Sequence, residues 1–514
     1  MRKMLSVFLV CFGVVSTSLL FSLDKKELLR NVREYRKNHE HQIIGEFMEL
    51  LSIPNVAADK KNIRRNALHI KKLMEKRGIN ARLLETAGNP VVYGERKTPG
   101  AKRTLLFYVH YDGQPVDASR WTGSAPFKPV LRPGKMEPGS NTPKPMPMPP
   151  KGKSFNPEWR IYGRSTSDDK APVIALMAAL DAVKDSKIGL KNNLKFIFEG
   201  EEEAGSTNLG PFLKKHKELL KADVLLLCDG PGYFSGAPTF FFGVRGITSI
   251  EIKVYGPYAS LHSGHYGNWA PNPAMRLSQL LASMKDHNGK VVIDGFYDTV
   301  APLSSLELKT LKEIPPYHEK LKKQYGFSGV ENPGMSLLET LQMPSLNIAG
   351  LSCGWVGAQT RTIVPPLAIA SIDLRLVKGN DPEDMVNKVI RHIKKMGYHV
   401  LDREPDALDR AKYPYLAQVT TLEEGYRASR TSMDLPVSLA LQKALTGVHK
   451  EKPVLIPSLG GSLPIYLFEE SLGIPFIGIP IANYDNNQHQ PDENIRIGHL
   501  WKGIETFAAV FMMQ

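Results

Sequence analysis

Apolar residues in this chain form short runs that alternate with longer stretches of helical periodicity. A helical pattern extends from Leu28 to about Gly78, and another covers APVIALMAALDAVKDS, residues 171–186. Four apolar runs have the length of a strand: TLLFYV (104–109), LKFIF (194–198), DVLLLC (223–228) and IPFIGI (474–479). Strands that alternate with helices predict an α/β domain with a mostly parallel, buried central sheet.

The hydrophobic pattern changes to a period of two after residue 240. FFFGVRGITSIEIKVYG (240–256) and LAIASIDLRLV (367–377) alternate apolar and polar residues, and a helix candidate follows each of them. Such alternation is typical of an antiparallel sheet. We therefore predict an α+β domain at 246–414, inserted into an α/β domain made of residues 28–245 and 415–514.

A segment rich in Pro, Lys and Gly, residues 131–158, interrupts the α/β domain. Its composition predicts a long loop or mobile flap without a packed element. Disordered surface is one interpretation of this insertion. A gate beside the site that the flanking motifs form is the alternative.

The first residues have the order of a secretory signal. Arg2 and Lys3 precede an apolar stretch that begins at Met4, and small residues follow it. Residues 1–22 therefore predict a signal peptide and an exported protein, periplasmic or secreted. An uncleaved membrane anchor is the alternative, because the apolar character persists to Phe21.

The formal net charge is +14 and the isoelectric point is about 9.3. Such charge suits an anionic partner, and a basic surface-adhesion protein is one hypothesis that rests on it alone. We do not expect a nucleic-acid partner, because the charge is spread along the chain without a recognised basic motif. The three cysteines are too few for a disulfide scaffold or a cysteine-based zinc site.

Polar side chains follow each of the four strand-like runs. The candidates are His110 and Asp112, the glutamates of EGEEE (199–203), Asp229, His489, and the pair Asp168 and Asp169 before a helix. The carboxyl ends of parallel strands meet at one edge of a sheet, so these residues can converge there. Imidazole and carboxylate groups are ligands of catalytic metal ions, and two cations would relieve the repulsion among the carboxylates. Each residue alone is weak evidence, and EGEEE alone is compatible with a solvated acidic loop.

Six motifs in this order carry a resemblance: HYDGQP, YGRSTSDDKAP, EGEEEAGS, LLCDG, LHSGHYG and QHQPDEN. From about residue 40 onward, the chain resembles the di-metal carnosinase and glutamate-carboxypeptidase type of metallopeptidase family. That family includes cytosolic dipeptidases, aminoacylases and succinyl-diaminopimelate desuccinylases. The resemblance implies a zinc-peptidase-like catalytic domain, with the inserted domain as a lid through which a homodimer forms.

The implied activity is metal-dependent hydrolysis of an amide bond next to a free carboxylate. A dipeptidase or carboxypeptidase-like enzyme leads, and an N-acyl amino-acid deacylase is the alternative. A non-catalytic peptide- or amino-acid-binding protein is the alternative of a different class. The cofactors would be two divalent metal ions per subunit, most readily zinc, with manganese or cobalt as the other options.

The resemblance also assigns roles to single residues. One ion would be held by His110, Asp168 and Asp229, and the other by Asp168, Glu203 and His489. Asp112 would orient His110 through its second nitrogen. Glu202 would be the general base, and EAGS sets the register of the glutamates.

Four further residues belong to the substrate side of the implied site. His262 would stabilise the oxyanion from across a dimer interface, and Arg375 would bind the substrate carboxylate together with Gly461 and Ser462. The family often has a cis peptide bond after the residue that matches Asp168. Ser165 and Ala171 stand where the family usually has glycine, and these departures bear on substrate access and not on the metal site.

Overall fold

The computed structural model describes residues 2–136 and 142–514, without the side chains of residues 2–24, 423 and 424. The chain forms two compact units. The first consists of Met1–Phe241, Thr431–Leu455 and Leu467–Gln514, and the second of Phe242–Arg430 and Ile456–Tyr466.

In the described residues, the strands are, in chain order, β1 (Asn80–Leu84), β2 (Val91–Arg96), β3 (Thr104–His110), β4 (Val130–Arg132), β5 (Arg160–Tyr162), β6 (Asn193–Glu199), β7 (Val224–Leu227), β8 (Thr239–Phe241), β9 (Gly243–Tyr255), β10 (Leu261–His262), β11 (Ser345–Cys353), β12 (Ile363–Val364), β13 (Leu367–Leu376), β14 (His399–Leu401), β15 (Leu416–Tyr426), β16 (Ser429–Arg430), β17 (Val454–Ile456), β18 (Leu459–Ser462), β19 (Phe476–Gly478) and β20 (Asn494–Arg496). The helices are α1 (Arg2–Leu51), α2 (Lys60–Glu75), α3 (Lys170–Asp185), α4 (Leu209–Lys215), α5 (Lys217–Leu220), α6 (Ser263–Tyr266), α7 (Pro273–Ala282), α8 (Ser305–Glu313), α9 (His318–Tyr325), α10 (Leu337–Thr340), α11 (Pro382–Lys395), α12 (Ala407–Lys412), α13 (Pro436–Leu445), α14 (Tyr466–Leu472) and α15 (Ile497–Phe511).

The first unit is built on a sheet with the strand order β1-β2-β6-β3-β7-β19-β8-β17. Its centre, β6-β3-β7-β19, is parallel and consists of the four predicted strands. Toward the edges the sheet is antiparallel, because β2 runs against β6 and β8 runs against β19. The prediction of a mostly parallel sheet therefore holds for the centre, and the whole sheet is mixed.

Buried aromatic rings join the sheet to the helices packed on it. Phe107 of β3 stacks on Phe196 of β6 and meets Phe507 and Phe511 of α15 edge-on. Helices α1, α3 and α15 pack together, and nearly all of α3 is buried. The helical pattern predicted from residue 28 to 78 forms two helices. Residues 52–59 separate them and contain Pro54, which cannot continue a helix. Asp59 caps α2 by accepting the amide of Asn62 at 3.1 Å.

The Pro-rich insertion, residues 131–158, is packed more closely than predicted. β4 forms a three-stranded sheet with β5 and β20, so one strand of this sheet lies at the start of the insertion. Arg132 is buried against the ring of Tyr162, and Phe155 is buried with its amide bonded to Glu40 at 2.7 Å. The expectation of a flap without packed elements is therefore wrong for the described part of the insertion. Residues 137–141 lie outside the described residues.

The second unit contains an antiparallel sheet with the order β11-β13-β9-β15 and a parallel edge strand, β14. Helices α7 and α11 contact this sheet and contribute Leu277, Leu280 and Met385 to its apolar core. The sheet includes β15, Leu416–Tyr426, whereas the return to the first domain was predicted at residue 415. Two further strands, β16 and β18, pair with the first residues of β9.

Candidate active site

The predicted metal ligands of the first unit come together at the carboxyl edge of its parallel strands. His110 is the last residue of β3 and lies in register with Glu199, the last residue of β6. Asp229 follows the end of β7 by two residues, and His489 lies in the loop after β19. The sheet topology thus brings residues that are far apart in the sequence into one cluster, as expected for an α/β fold.

Two groups of side chains in the described part of the chain could each hold a metal ion. One is His110, Asp169 and Asp229, and the other is Asp168, Glu203 and His489. Within each group, one ligand atom per residue lies within 4.8 Å of the others. The second group matches the predicted ligands of the second ion.

Asp168 lies between the two histidines. Its Oδ1 is 3.0 Å from Nε2 of His110, and its Oδ2 is 3.0 Å from Nε2 of His489. Burial acts to raise the pKa of Asp168, but the hydrogen bonds to both histidines lower it overall. The peptide bond from Asp168 to Asp169 is cis, as the resemblance implied.

Asp169 was not among the predicted ligands. It is fully buried beside His110 and Asp229, and neither of its carboxylate oxygens has a hydrogen-bond partner. Burial, followed by the charge of Asp229, raises its pKa well above the usual value. The sequence places Asp169 among the converging polar residues, but the family motif assigns the ligand role to the first aspartate of the DDK triplet.

The residues present fit a pair of divalent cations. Oδ1 of Asp229 is also buried without a partner. Burial and the nearby Asp168 raise the pKa of Asp229 to about 6 and that of Glu203 to about 7. A buried carboxylate cluster has to take up protons or bind cations, and nitrogen and oxygen donors in this mixture suit a divalent metal ion.

Asp112 links the first histidine to the glutamate turn. Its carbonyl oxygen and its Oδ1 lie 3.2 and 3.5 Å from Nδ1 of His110. The same carboxylate accepts the amides of Glu202 at 3.1 Å and Glu203 at 3.0 Å, where a 3₁₀ turn begins. One buried carboxylate therefore fixes both the imidazole and the backbone that presents Glu202 and Glu203.

The four glutamates of EGEEE have different surroundings. Glu199 is buried, accepts the hydroxyl of Tyr108 at 2.6 Å and has its pKa raised to about 7 by burial. Glu201 accepts the amides of Asn89 and Asn208. Neither of these two glutamates is solvated, so both support the turn from within the protein.

Glu202 and Glu203 are the glutamates that face the cluster. Burial raises the pKa of Glu202 well above its usual value, with Asp229 and Glu203 adding to the rise and His110 opposing it. Glu203 lies 3.4 Å from His489 and accepts the side-chain amide of Gln114 at 2.7 Å. Gln114 was not predicted, although it belongs to the HYDGQP motif.

Glu493 is a second residue that sequence reasoning missed. It is fully buried and accepts the amides of Ser165 and Ser167 at 2.9 Å and of Asp168 at 3.1 Å. Arg164 donates to the same carboxylate at 2.9 Å. Glu493 follows His489 by four residues. It therefore connects the loop that carries His489 to the turn that carries Asp168.

Both ligand-bearing segments contain residues in the left-handed region. Ser165 has φ 63°, and Asn487, His489 and Asp492 have φ 55°, 62° and 59°. The hydroxyl of Ser165, at a position where the family usually has glycine, accepts the amide of Asn55 at 2.8 Å. Such conformations persist where surrounding contacts hold them, and they cluster at functional sites.

A family model named Peptidase family M20/M25/M40 matches residues 145–513 of this chain. The protein belongs to this peptidase family. M20 peptidases are typically dinuclear metal enzymes, and the described residues of this one include two candidate ligand groups. The predicted family, the α/β fold with an additional α+β unit and the assignment as a metallopeptidase are confirmed.

Relatives of this M20 peptidase are metallodipeptidases. The Cys-Gly metallodipeptidase dug1 of Schizosaccharomyces pombe is 26% identical over 507 residues, covering 95% of this chain and 97% of its own. The human Beta-Ala-His dipeptidase is 27% identical over 431 residues, covering 82% and 77%. Among solved structures, the M20 family metallo-carboxypeptidase Sso-CP2 from Sulfolobus solfataricus matches with a TM-score of 0.70 and 31% identity, covering 92% of this chain and 98% of its own. These relatives support a metal hydrolase that cleaves dipeptides.

The prediction of export is wrong. It is contradicted by the match to metallodipeptidases along nearly the whole chain. The side chains of residues 1–24, on which the signal and its membrane-anchor alternative depended, lie outside the described residues. Among the residues that the structure describes, no helix has the length and apolar character to cross a membrane.

The remaining predicted residues of the M20 peptidase lie in the second unit. Arg375 on β13 donates from Nη1 to the hydroxyl of Ser462 at 2.8 Å, and its Nε is 3.5 Å from Asp373. Gly461 beside Ser462 is exposed. His262, also exposed, pairs in the separate β10-β12 ladder, and its Nδ1 accepts the amide of Gly264 at 3.1 Å. The structure thus brings Arg375 and Ser462 together and leaves His262 in a different element.

Proposed function

We propose that this M20 peptidase hydrolyses the amide bond of dipeptides or short peptides next to a free carboxylate. The observation that supports this proposal best is the placement of Asp168, whose two oxygens each lie 3.0 Å from a different histidine, between two groups of candidate ligands. The relatives named as dipeptidases and a carboxypeptidase support the choice of substrate.

The proposed ligands divide around Asp168 as the shared residue. His110 and Asp229, with Asp169 beside them, would hold one ion, and Glu203 and His489 would hold the other. We favour zinc, with manganese or cobalt as alternatives, because imidazole and carboxylate donors suit these ions. When bound, such a pair of ions supplies Lewis-acid activation of a water molecule and of the substrate carbonyl.

Glu202 is the proposed general base and acid. Its raised pKa matches a group that accepts a proton from the attacking water and returns it to the leaving amine. Asp112 holds the amides of Glu202 and Glu203, so it keeps the base next to the ligand. His262 is the proposed donor to the oxyanion, a role that the family resemblance assigns across a dimer interface.

The second unit supplies the proposed site for the substrate carboxylate. A guanidinium group binds a carboxylate through two parallel hydrogen bonds, and Arg375 has its Nη1 already aligned with the hydroxyl of Ser462. Gly461 would add a backbone donor, because the resemblance places it in the loop that offers such donors to the substrate carboxylate, and it is exposed. The 3.5 Å separation from Asp373 is longer than a hydrogen bond, so this ion pair leaves Arg375 available.

A homodimer through the second unit is the proposed assembly, and β11 is its proposed contact. In the described sheet, β11 is an edge strand, and Ile348 and Leu351 on it are exposed. Residues 340–360 contain no Asp, Glu, Lys or Arg. Exposed edges are usually protected by charges, and a strand without charge can pair with a second copy of itself without repulsion.

The experiment that tests the function is hydrolysis of a panel of dipeptides and N-acyl amino acids by the purified protein. The protein is assayed after chelation and after the return of zinc, manganese or cobalt. We expect dipeptide cleavage that chelation abolishes and metal restores. Preferential cleavage of N-acyl amino acids would instead establish a deacylase, and two bound metals without any hydrolysis would point to a binding protein.

A further inference from the structure

Arg245 is a buried charge in the second unit and has no charged hydrogen-bond partner among the described side chains. It lies near the start of β9 and is 5% exposed. Its Nη2 donates to the carbonyl of Met343 at 2.7 Å, to the hydroxyl of Ser345 at 3.1 Å and to the carbonyl of Arg375 at 3.3 Å. Its Nε is buried without any hydrogen-bond partner.

This arrangement is electrostatically incomplete. All three acceptors of Arg245 are neutral, and a buried charge is costly unless an opposite charge compensates it. Burial and then the charge of Arg375 lower the pKa of Arg245 to about 10, with Asp373 acting in the opposite direction. The positive charges of Arg245 and Arg375 therefore act on each other. Asp373, the nearby carboxylate, already accepts a hydrogen bond from the side-chain amide of Asn347 at 2.7 Å.

The strand registers place Arg245 next to the proposed carboxylate site. β9 pairs with β13, where Arg375 is opposite Ile247, and the first residues of β9 pair with β18, where Ser462 is opposite Arg245. The register of β18 shifts between Leu459 and Ser462. Arg245 thus holds the backbone of Arg375 from the strand that also pairs with Ser462.

We propose that Arg245 is a positioning residue for the substrate-carboxylate site, where it fixes Arg375 against Ser462 and supplies a second positive charge that favours a free carboxylate. The inference rests on the proposed function for the identity of the ligand. According to this inference, Arg245 and Arg375 together make the enzyme require a free carboxylate on its substrate. A purely structural residue would instead hold only the segment Met343–Ser345.

The test compares Arg245→Met and Arg245→Lys with the matched control Arg410→Met. Arg410 is an arginine of the same unit that donates to the carbonyl of Gly256 at 2.7 Å and also has a buried Nε without a partner. For each variant, kcat and KM are measured for a dipeptide and for the same dipeptide with its carboxylate amidated. Binding of free glycine, as a carboxylate probe, is measured by calorimetry on the metal-loaded protein.

We expect Arg245→Met to raise KM for the dipeptide about 10- to 100-fold, with a smaller change in kcat, and to weaken glycine binding similarly. The amidated substrate should change little, and Arg245→Lys should restore part of the preference. Equal losses for both substrates, or loss of preference in the Arg410→Met control, would overturn the proposal. So would wild-type protein that hydrolyses both substrates equally well.

The glycine measurement separates this inference from the proposed function. If the wild-type protein cleaves no peptide but binds glycine, and Arg245→Met weakens that binding, the activity is wrong and the role of Arg245 stands. If peptides are cleaved and Arg245→Met binds glycine like the wild type, the activity stands and the role of Arg245 is refuted. If Arg245→Met does not fold, Arg245→Lys is compared with the wild type, with a smaller expected loss of glycine binding, and wild-type affinity in Arg245→Lys would refute the role of Arg245.

Discussion

The carboxylate of Glu493 accepts the backbone amide of Asp168 at 3.1 Å, so a buried acid in one loop fixes the central residue of the candidate metal site in another. The same carboxylate also accepts the amides of Ser165 and Ser167. Three backbone donors and Arg164 thus satisfy Glu493, and none of its oxygens is left to act as a ligand. The arrangement makes Glu493 a support for Asp168.

Replacing Glu493 with Gln should weaken metal binding. Glutamine keeps the size but turns one acceptor into a donor that faces the backbone amides of residues 165–168. Residues that orient metal ligands typically contribute 10- to 100-fold to affinity, so we expect a loss of about that size with a fall in activity. Metal titration and kcat measure it, with Glu75→Gln on the surface as the control. Unchanged affinity would show that the turn keeps its shape without Glu493.

Glu202→Gln and Glu203→Gln should separate the base from the ligand. We expect Glu202→Gln to lower kcat about 10²- to 10⁴-fold while two metal ions stay bound, because it removes only the proton acceptor. Glu203→Gln should lower both metal content and activity. Elemental analysis together with peptide hydrolysis distinguishes the two variants. The reverse result would mean that the two roles are exchanged within the glutamate run.

Leu351→Lys should disrupt the proposed dimer. The side chain lies on the exposed edge strand β11, and two lysines would face each other across a symmetric pair of strands. We expect sedimentation analysis to show a monomer at concentrations where the wild type is a dimer. Leu408→Lys, at another exposed leucine of the same unit, serves as the control. A variant that stays dimeric would place the contact elsewhere.

His449 should make stability depend on pH. Burial, then the charge of Lys502, lowers its pKa from 6.5 to about 4. Between these pH values the unfolded chain binds the additional proton, so the free energy of unfolding rises with pH. The contribution is present above about pH 6.5, disappears as pH falls toward 4, and is on the order of 3 kcal/mol at most.

Denaturation curves from pH 4 to 7.5 check this expectation. His449→Gln should flatten the slope, because glutamine does not titrate and can still bond to the hydroxyl of Thr506, which is 2.9 Å from His449. The charged groups that also face His449 are Lys502, Glu451, Arg33 and Glu505. His318→Gln, at an exposed histidine, is the control. An unchanged slope in His449→Gln would refute the assignment.

The central strands and most of the site could be predicted because the physical signal is local. An uninterrupted apolar run predicts a buried strand. The residue that follows it, such as His110, Asp229 or a glutamate, predicts a polar group at the end of that strand. The outer strands β1 and β2 were not predicted, since NARLL and VVYGER lack a clear period. The pairing of β2 with β6, and of β1 with β2, depends on tertiary contact.

Glu493, Asp169 and Arg245 could not be assigned from sequence for a related reason. Their roles consist of contacts with residues far away in the chain, such as the 325 positions that separate Glu493 from Asp168. A glutamate in a polar loop or an arginine in an alternating strand is by default a solvated side chain. Only the fold shows that each of these three is buried.

The small sheet of β4, β5 and β20 lies between the Pro-rich insertion and the two ligand-bearing loops. β5 leads into the turn of Asp168, β20 follows Glu493, and β4 is the stem of the Pro-rich insertion. Mutations that lengthen or recompose the insertion beyond this stem would leave the backbone of both ligand-bearing loops in place. The insertion can therefore be re-engineered beyond its stem without moving the candidate metal ligands.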